Sequence, residues 1–234
     1  MQTTNELYLD GKIQKLGLSN YHSSEVQRAF TLCKEHNLLK PTCYQGIYNP
    51  LNRLVEAELL PILKANDCAF VAYNPLAAGL LTGKHRNSNN SKAEVKSGRF
   101  KNNPNYLPRF YTDANFKAMT FIEDSLVGSK ISLLEATYRW LLHHSVLGKF
   151  HVDDGLLIGA SSIEQLNQNL TACNDHIKPL PENVVRAIEE AWEIVKEEGE
   201  PFSYWRSFSF DMPGRENLDH GASYDAKVGK EAPK

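Results

Sequence analysis

The stretch Tyr73-Asn-Pro-Leu-Ala-Ala-Gly-Leu-Leu-Thr-Gly-Lys84 directly follows the apolar run Cys68 to Ala72 and gathers a Pro, two Gly and a Lys into one turn. A short apolar run broken this way reads as a strand that ends in a loop. Small residues let backbone N–H groups approach an anion, and Lys84 adds a positive charge, so a phosphate-bearing ligand is one candidate for this turn. The other reading is an ordinary strand-to-loop connection in which the glycines only turn the chain. It is not the familiar nucleotide phosphate loop. Gly79 and Gly83 enclose three residues instead of four, and His85, not Ser or Thr, follows Lys84.

Working outward, the same strand-and-helix unit recurs. Glu6 to Leu9 reads as the tail of a helix stopped by Asp10-Gly11, and Ile13 to Leu18 as the first strand. Ser23 or Ser24 can cap a helix whose Val26, Ala29, Phe30 and Cys33 share one face. Thr42 to Gln45 begins the second strand, a helix runs through Leu63, and Cys68 to Tyr73 is the third strand. Strand starts about 27 residues apart, with helices between, are the pattern of successive parallel β/α units. Residues 85 to 112 are rich in Asn, Ser, Lys and Pro and read as a long surface excursion of the kind that carries function or lacks order.

Beyond it, Phe116, Met119, Ile122 and Leu126 mark one helix, and Leu134, Thr137, Tyr138, Leu141 and Leu142 another, with Tyr138 and Trp140 as core. Gly155 to Gly159 is a short fourth strand. Ser161 or Ser162 then caps a helix carrying Ile163, Leu166 and Leu170, and its N-terminus is a second candidate anion site. The last helix, Glu182 to Lys196, buries Val185, Ile188, Trp192 and Val195. Residues 207–234 form a polar, Gly-containing tail expected to be flexible.

Composition narrows the function classes. The formal net charge of −2 points to neither a nucleic acid nor a membrane surface as partner, and no apolar run reaches membrane-spanning length. The first residues have neither the basic nor the apolar segment of a signal peptide, so a cytoplasmic location is expected. Cys33, Cys43, Cys68 and Cys173 are scattered and read as free thiols, and no His-Glu-x-x-His or paired-ligand spacing suggests a metal.

Four motifs, Gly17-Leu-Ser-Asn-Tyr21, Tyr44-Gln-Gly-Ile-Tyr-Asn49, Ala72-Tyr-Asn-Pro-Leu-Ala-Ala-Gly79 and Ile158-Gly-Ala-Ser-Ser-Ile-Glu-Gln165, in this order and spacing, resemble the aldo-keto reductases, and most closely the aflatoxin B1 aldehyde reductase branch. The resemblance runs from Leu7 to Arg206. It implies an α/β fold, half of a (β/α)8 TIM barrel comprising strands five to eight and their helices, with residues 1–206 as the C-terminal half of the reductase domain.

That resemblance also implies NADPH as cofactor and aldehyde or ketone reduction by hydride transfer. Carried over by motif, Ser19, Asn20 and Gln45 would hold the nicotinamide carboxamide, which suits their mixed donors and acceptors, and Tyr73 would stack on the ring. Asn74, Pro75, Leu76, Ala77, Ala78, Gly79, Leu80, Leu81, Thr82, Gly83 and Lys84 would wrap the pyrophosphate. Ser161, Ser162, Gln165 and Asn169 would take the 2'-phosphate and adenine, and Arg99 would add a further contact. Tyr106, Arg109 and Arg206 would face the substrate, where two guanidinium groups suit an aldehyde bearing a carboxylate.

The same resemblance implies a catalytic Tyr, Asp, Lys and His, all ahead of the Gly-Leu-Ser-Asn-Tyr motif. The sixteen residues before Gly17 contain no His and lack the family's Asp-Thr-Ala-x-x-Tyr pattern, so no catalytic residue is assigned in this chain. Tyr21, Tyr44 and Tyr48 lie near strand ends as substitute acids. Four strands would leave two open sheet edges, which suggests self-association, pairing with a separate half, or a truncated product of a full-length reductase. The reading from a different class is an inactive nucleotide-binding or interaction module, as with the potassium-channel β subunits that resemble aldo-keto reductases.

Overall fold

The structure is a computed structural model and describes residues 1–84, 107–174, 178–199 and 201–205. The described elements are α1 (Gln2–Leu9), β1 (Gly17–Ser19), α2 (Ser23–Glu35), β2 (Cys43–Ile47), α3 (Val55–Ala65) and β3 (Ala69–Tyr73), then α4 (Leu107–Phe110), α5 (Asp113–Ser125) and α6 (Leu133–His143), and finally β4 (Gly155–Leu156), α7 (Ile163–Ala172) and α8 (Glu182–Glu198). The four strands lie side by side in the order β1-β2-β3-β4, and every pairing is parallel. Helical connections make this order possible, because parallel neighbours need a crossover that returns the chain to the same end of the sheet.

Side-chain alternation divides the sheet into two unlike faces. Tyr44, Phe70 and Ala72 are buried in the main apolar cluster with Val55, Leu59 and Leu63 of α3. Gly46 lies on this same side, and a β-carbon there would sit 2.7 Å from Phe70 Cε2 and 3.0 Å from Tyr44 Cε1. The alternate row, Ser19, Gln45, Val71 and Gly155, is half-buried or exposed, and these residues are cross-strand partners in register. Outside the sheet, α5 packs along α8, and Tyr138 and Trp140 of α6 are fully buried as expected of core aromatics.

Two strands are shorter than the sequence suggests, for the same reason. The register Gly17↔Cys43 would bring Ile13 to Leu39, which precedes β2, so β1 is confined to Gly17–Ser19 after Thr42 N–H donates to Leu16 O at 2.9 Å. At the other edge Ala72 pairs with Leu156 and Leu157 N–H reaches Ala72 O at 2.8 Å, after which β3 runs out and Ile158 and Gly159 have no strand beside them. The cap of α2 also differs from expectation. His22, not Ser23 or Ser24, occupies the position: its Nδ1 accepts from Ser24 N–H at 3.2 Å while Glu25 accepts from His22 N–H at 3.1 Å. Imidazole thus replaces the usual hydroxyl of a capping box.

On α7 the expected apolar face is only partly used. Leu166 is half-buried, but Ile163 and Leu170 are exposed. Similarly Leu142 of α6 is exposed rather than buried. The tail 207–234 and residues 85–106 of the expected excursion lie outside the described residues, and of its remainder Leu107–Phe110 is helical, as α4.

Candidate active site at the strand ends

Parallel strands all point their C-terminal ends the same way, so the residues that finish β1, β2 and β3 meet at one rim. Asn20, immediately after β1, adopts a left-handed backbone with φ +60°. Its side chain donates to Ser19 Oγ at 3.1 Å and accepts from the Tyr73 hydroxyl at 2.9 Å, which joins the end of β1 to the end of β3 across β2. Gln45 lies between them, paired with Ser19 on one side and Val71 on the other, and is exposed. Three residues singled out in the sequence, Ser19, Asn20 and the half-buried Tyr73, therefore form one hydrogen-bonded polar group, with the Gln45 amide open to solvent on the neighbouring strand.

The turn after β3 is tightly organised. Asn74, Ala77, Ala78, Gly79 and Gly83 all have positive φ, a conformation that costs Ala and Asn something and glycine nothing. Hydrogen bonding within the turn over-determines it. Asn74 O accepts from Ala77 N–H and Asn74 Oδ1 from Ala78 N–H, Leu76 O accepts from Gly79 and Leu81 N–H, and Leu80 O from Gly83 N–H. Thr82 Oγ1 donates to Gly79 O at 2.7 Å and accepts from Lys84 N–H at 3.4 Å. The amides of Ala77, Ala78, Gly79, Leu81, Gly83 and Lys84 are thus already committed within the turn. Pro75, Ala77, Leu80 and Leu81 are buried and anchor the turn, whereas Lys84 is exposed.

Ser161 and Ser162 open α7 beyond the end of β4. Ser162 Oγ caps the helix by accepting from Gln165 N–H at 3.2 Å, and Ser161 donates through both N–H and Oγ to Gln165 Oε1. Asn169 is buried and donates to Gly159 O at 3.1 Å, tying α7 to the chain that leaves β4. Glu164 sits in the first turn and already supplies negative charge to that helix end.

Of the residues expected to face the substrate, Arg109 is described and Tyr106 and Arg206 lie outside the described residues, as does Arg99 of the expected cofactor contacts. Arg109, on α4, is half-buried with its guanidinium 5.5 Å from the Phe202 ring centroid. It lines a cavity of about 10 Å³ with Asn52, Asn115 and Phe202.

Two of the three tyrosines near the strand ends have their hydroxyls engaged in the core. Tyr44 and Tyr48 are fully buried. Tyr44 Oη donates to Tyr21 O at 2.7 Å and Tyr48 Oη donates to Glu56 at 2.7 Å. Burial pushes both phenols far above their ordinary range, and for Tyr48 the Glu56 carboxylate adds to the effect. Neither can hand a proton to a carbonyl at the rim, so both are withdrawn as substitute acids. Among the described residues no cluster of His, Cys, Asp and Glu could hold a metal, and no described helix is long and apolar enough to cross a membrane.

Sequence reasoning passed over two supports of the rim. Asn49 and Asn52 are buried in the β2–α3 connection; Asn49 donates to Asn74 O at 3.1 Å and Asn52 to Phe202 O at 2.9 Å. They hold the turn after β3 and the C-terminal segment against the same loop. The Asn-Pro-Leu-Asn stretch was the available signal, a turn with amides at both ends. The second support is His22 with Tyr204. Tyr204 Oη accepts from Ser23 N–H at 3.2 Å and burial pushes its phenol up to about 12, while His22 packs edge-on against Trp205 at 4.8 Å between ring centroids.

Parallel β/α units with a hydrogen-bonded polar group at the C-terminal strand ends define a β/α scaffold of the kind that places its active sites at that rim. Residues 1–193 match the Aldo/keto reductase family, and the chain belongs to it. It is 42% identical over 205 residues to the aflatoxin B1 aldehyde reductase member 2 of Rattus norvegicus, covering 85% of this chain and 55% of that protein. It is 43% identical over 200 residues to the human protein of the same name, covering 82% and 54%, and 41% identical over 206 residues to the human aldo-keto reductase family 7 member A3, covering 85% and 61%. The chain thus spans a little over half the length of these relatives.

Proposed function

We propose that this chain forms the cofactor-facing part of an NADPH-dependent aldo-keto reductase that converts aldehydes or ketones to alcohols. The observation that carries the reading is the connected set Ser19, Asn20 and Tyr73 at the ends of β1 and β3, with Gln45 open beside it. On this reading β1 to β4 are strands five to eight of an eight-stranded barrel, and the row Ser19, Gln45, Val71 and Gly155, half-buried but for the exposed Gln45, faces its interior.

The donor set fits the cofactor at the carboxamide end. Ser19, Asn20 and Gln45 offer hydroxyl and amide groups to both the C=O and the NH₂ of a carboxamide, and Asn20 is held in place by its two partners. Tyr73 presents its ring beside them. The turn from Asn74 to Lys84 would flank the pyrophosphate, with Lys84 supplying charge in place of its committed amides. Ser161, Ser162, Gln165 and Asn169 would take the 2'-phosphate and adenine, and Arg99 a further contact. When bound, NADPH supplies the hydride to the carbonyl carbon. Preference for a carboxylate-bearing aldehyde rests on the motif positions Tyr106, Arg109 and Arg206. Four free cysteines suit a cytoplasmic, reducing compartment.

Titration of NADPH fluorescence with the purified chain tests the reading. We expect saturable binding that weakens about five- to tenfold in Gln45→Ala, the worth of one hydrogen bond at an exposed position that does not support the fold. No binding, or binding indifferent to Gln45→Ala, refutes it. The buried, committed phenols of Tyr44 and Tyr48 favour a second reading, binding without catalysis. NADPH binding with no oxidation of NADPH in the presence of 4-nitrobenzaldehyde would select it.

A further inference from the structure

We infer that Asn49 is a positioning residue for the cofactor site: its amide fixes the peptide at which the chain leaves β3, and with it the place of the Tyr73 ring and of the turn that follows. The inference rests on the cofactor reading above and adds to it a fully buried residue behind the rim. The backbone ladder between β2 and β3 ends at Ile47 and Tyr73, with Tyr48 N–H reaching Tyr73 O at 3.3 Å. Beyond this point the two chains part. Asn49 and Asn52 close a tight loop by exchanging N–H···O bonds of 3.2 and 3.0 Å, while Asn74 enters a left-handed turn with φ +61°. A side-chain rung crosses the gap, Asn49 Nδ2 donating to Asn74 O at 3.1 Å.

The position uses both halves of a short amide. Asn49 Oδ1 accepts from Leu51 N–H at 2.9 Å while Nδ2 donates to Asn74, so an acceptor and a donor are needed on one side chain. In a fully buried place a lost partner is not replaced by bulk water. Asn74 O is held a second time by Ala77 N–H at 3.1 Å, and Asn74 Oδ1 accepts from Ala78 N–H at 2.7 Å. Asn74, Ala77 and Ala78 have φ of +61°, +47° and +59°, conformations that persist only where the surroundings over-determine them. The bonds from Ala77 and Ala78 lie inside the turn and move with it. The bond from Asn49 comes from the β2–α3 connection, and so sets where the turn sits on the sheet.

This reaches the rim through one peptide. Tyr73 directly precedes Asn74, and its hydroxyl donates to Asn20 Oδ1 at 2.9 Å. With the Asn49 rung in place, ring and turn are arranged before a ligand arrives. Without it the competent arrangement is a fraction of the ensemble, and affinity falls by that fraction.

Asn49→Asp keeps an acceptor for Leu51 but sets a carboxylate oxygen against Asn74 O, and Asn49→Leu removes both bonds at similar volume. In the full 234-residue chain each should weaken NADPH binding about tenfold and speed hydrogen exchange of the Ala77, Ala78 and Gly79 amides, with the helices retained by circular dichroism. Asp154→Asn is the comparison at the opposite end of β3, where the Asp154 carboxylate accepts from Phe70, Gly148 and His151 N–H groups. It should lower the urea midpoint and leave NADPH affinity unchanged, a split that a merely structural role for Asn49 would not give. Equal loss of affinity in Asp154→Asn, unchanged affinity in both Asn49 variants, or loss of helices in both would overturn the proposal. Weakening by Gln45→Ala but not by Asn49→Asp strikes this inference alone, whereas no NADPH binding by the unaltered chain strikes the cofactor reading and this inference together.

Discussion

Replacing Arg53 with Met should destabilise the chain by about 3 kcal/mol, because this side chain stands at the centre of a partly buried ionic network. Its Nε and Nη2 donate to the two oxygens of Glu56 at 2.8 and 3.1 Å, and Nη1 donates to Glu189 at 2.5 Å. The guanidinium also lies 4.9 Å from the Trp140 ring centroid, and Trp140 Nε1–H donates to Glu189 at 3.0 Å. Burial alone would lower the basicity of Arg53, but its bonds to Glu56 and Glu189 outweigh this and hold it above the ordinary guanidinium range.

Breaking a buried pair by removing one partner costs about 3 to 5 kcal/mol, and an exposed pair contributes at most about 1. The Arg53 side chain is 11% exposed and that of Glu56 24%, so this pair falls near the lower end of the buried range. Glu189 is 46% exposed and adds little after screening by solvent. Met keeps most of the stem, so the loss reads on charge and hydrogen bonding rather than on a cavity. Urea unfolding followed by circular dichroism measures it, and a chain above 200 residues should show a melting temperature lower by about 6 to 12 °C. A loss under about 1 kcal/mol would show that the network is surface decoration and that α3, α6 and α8 are joined by apolar contact alone.

Three further outcomes rest on local geometry. His144 Nε2 accepts from Leu180 N–H at 2.9 Å and so must be unprotonated, and its pKa is lowered by burial first and then by His143, Lys149 and Arg139. Stability should therefore be level above the unfolded pKa of about 6.5 and fall as pH drops below it, a limb that His144→Gln flattens in urea midpoints measured from pH 7.5 to 5. Gly46→Ala should cost about 1 to 3 kcal/mol, because the new methyl meets two fully packed rings, Phe70 and Tyr44, that have no room to swing; an unchanged urea midpoint would refute this. Ser162→Ala removes the cap of α7 and should lower stability by about 1 kcal/mol, with Ser162→Asn restoring it.

Helix and strand identity was legible along the chain because each unit carries its own period and punctuation. Val26, Phe30 and Cys33 repeat at helical spacing and are buried, and the apolar run ending at Tyr73 is β3. Strand starts read about 27 residues apart in the sequence pointed to successive parallel β/α units, and the structure spaces them 26 residues from Gly17 to Cys43 and 26 from Cys43 to Ala69. The motifs also placed Ser19, Asn20 and Tyr73 at strand ends, since local sequence decides where a strand stops and how the chain turns after it, whereas Gln45 falls in the middle of β2.

Tertiary structure alone decided how those ends connect and which groups remain available. That Tyr73 bonds to Asn20 depends on two strands separated by a third, and that the turn from Asn74 to Gly83 consumes its own amides depends on backbone torsions that Ala77 and Ala78 would not choose in isolation. Nor could sequence show that Tyr44 and Tyr48 are sealed in the core, or that Arg53, Trp140 and Glu189 meet, because these contacts join residues up to 136 apart in the chain. Periodicity and turn chemistry act over a few residues and are written in the sequence. Pairing partners, strand lengths and proton affinities are set by neighbours that only the folded chain brings within reach.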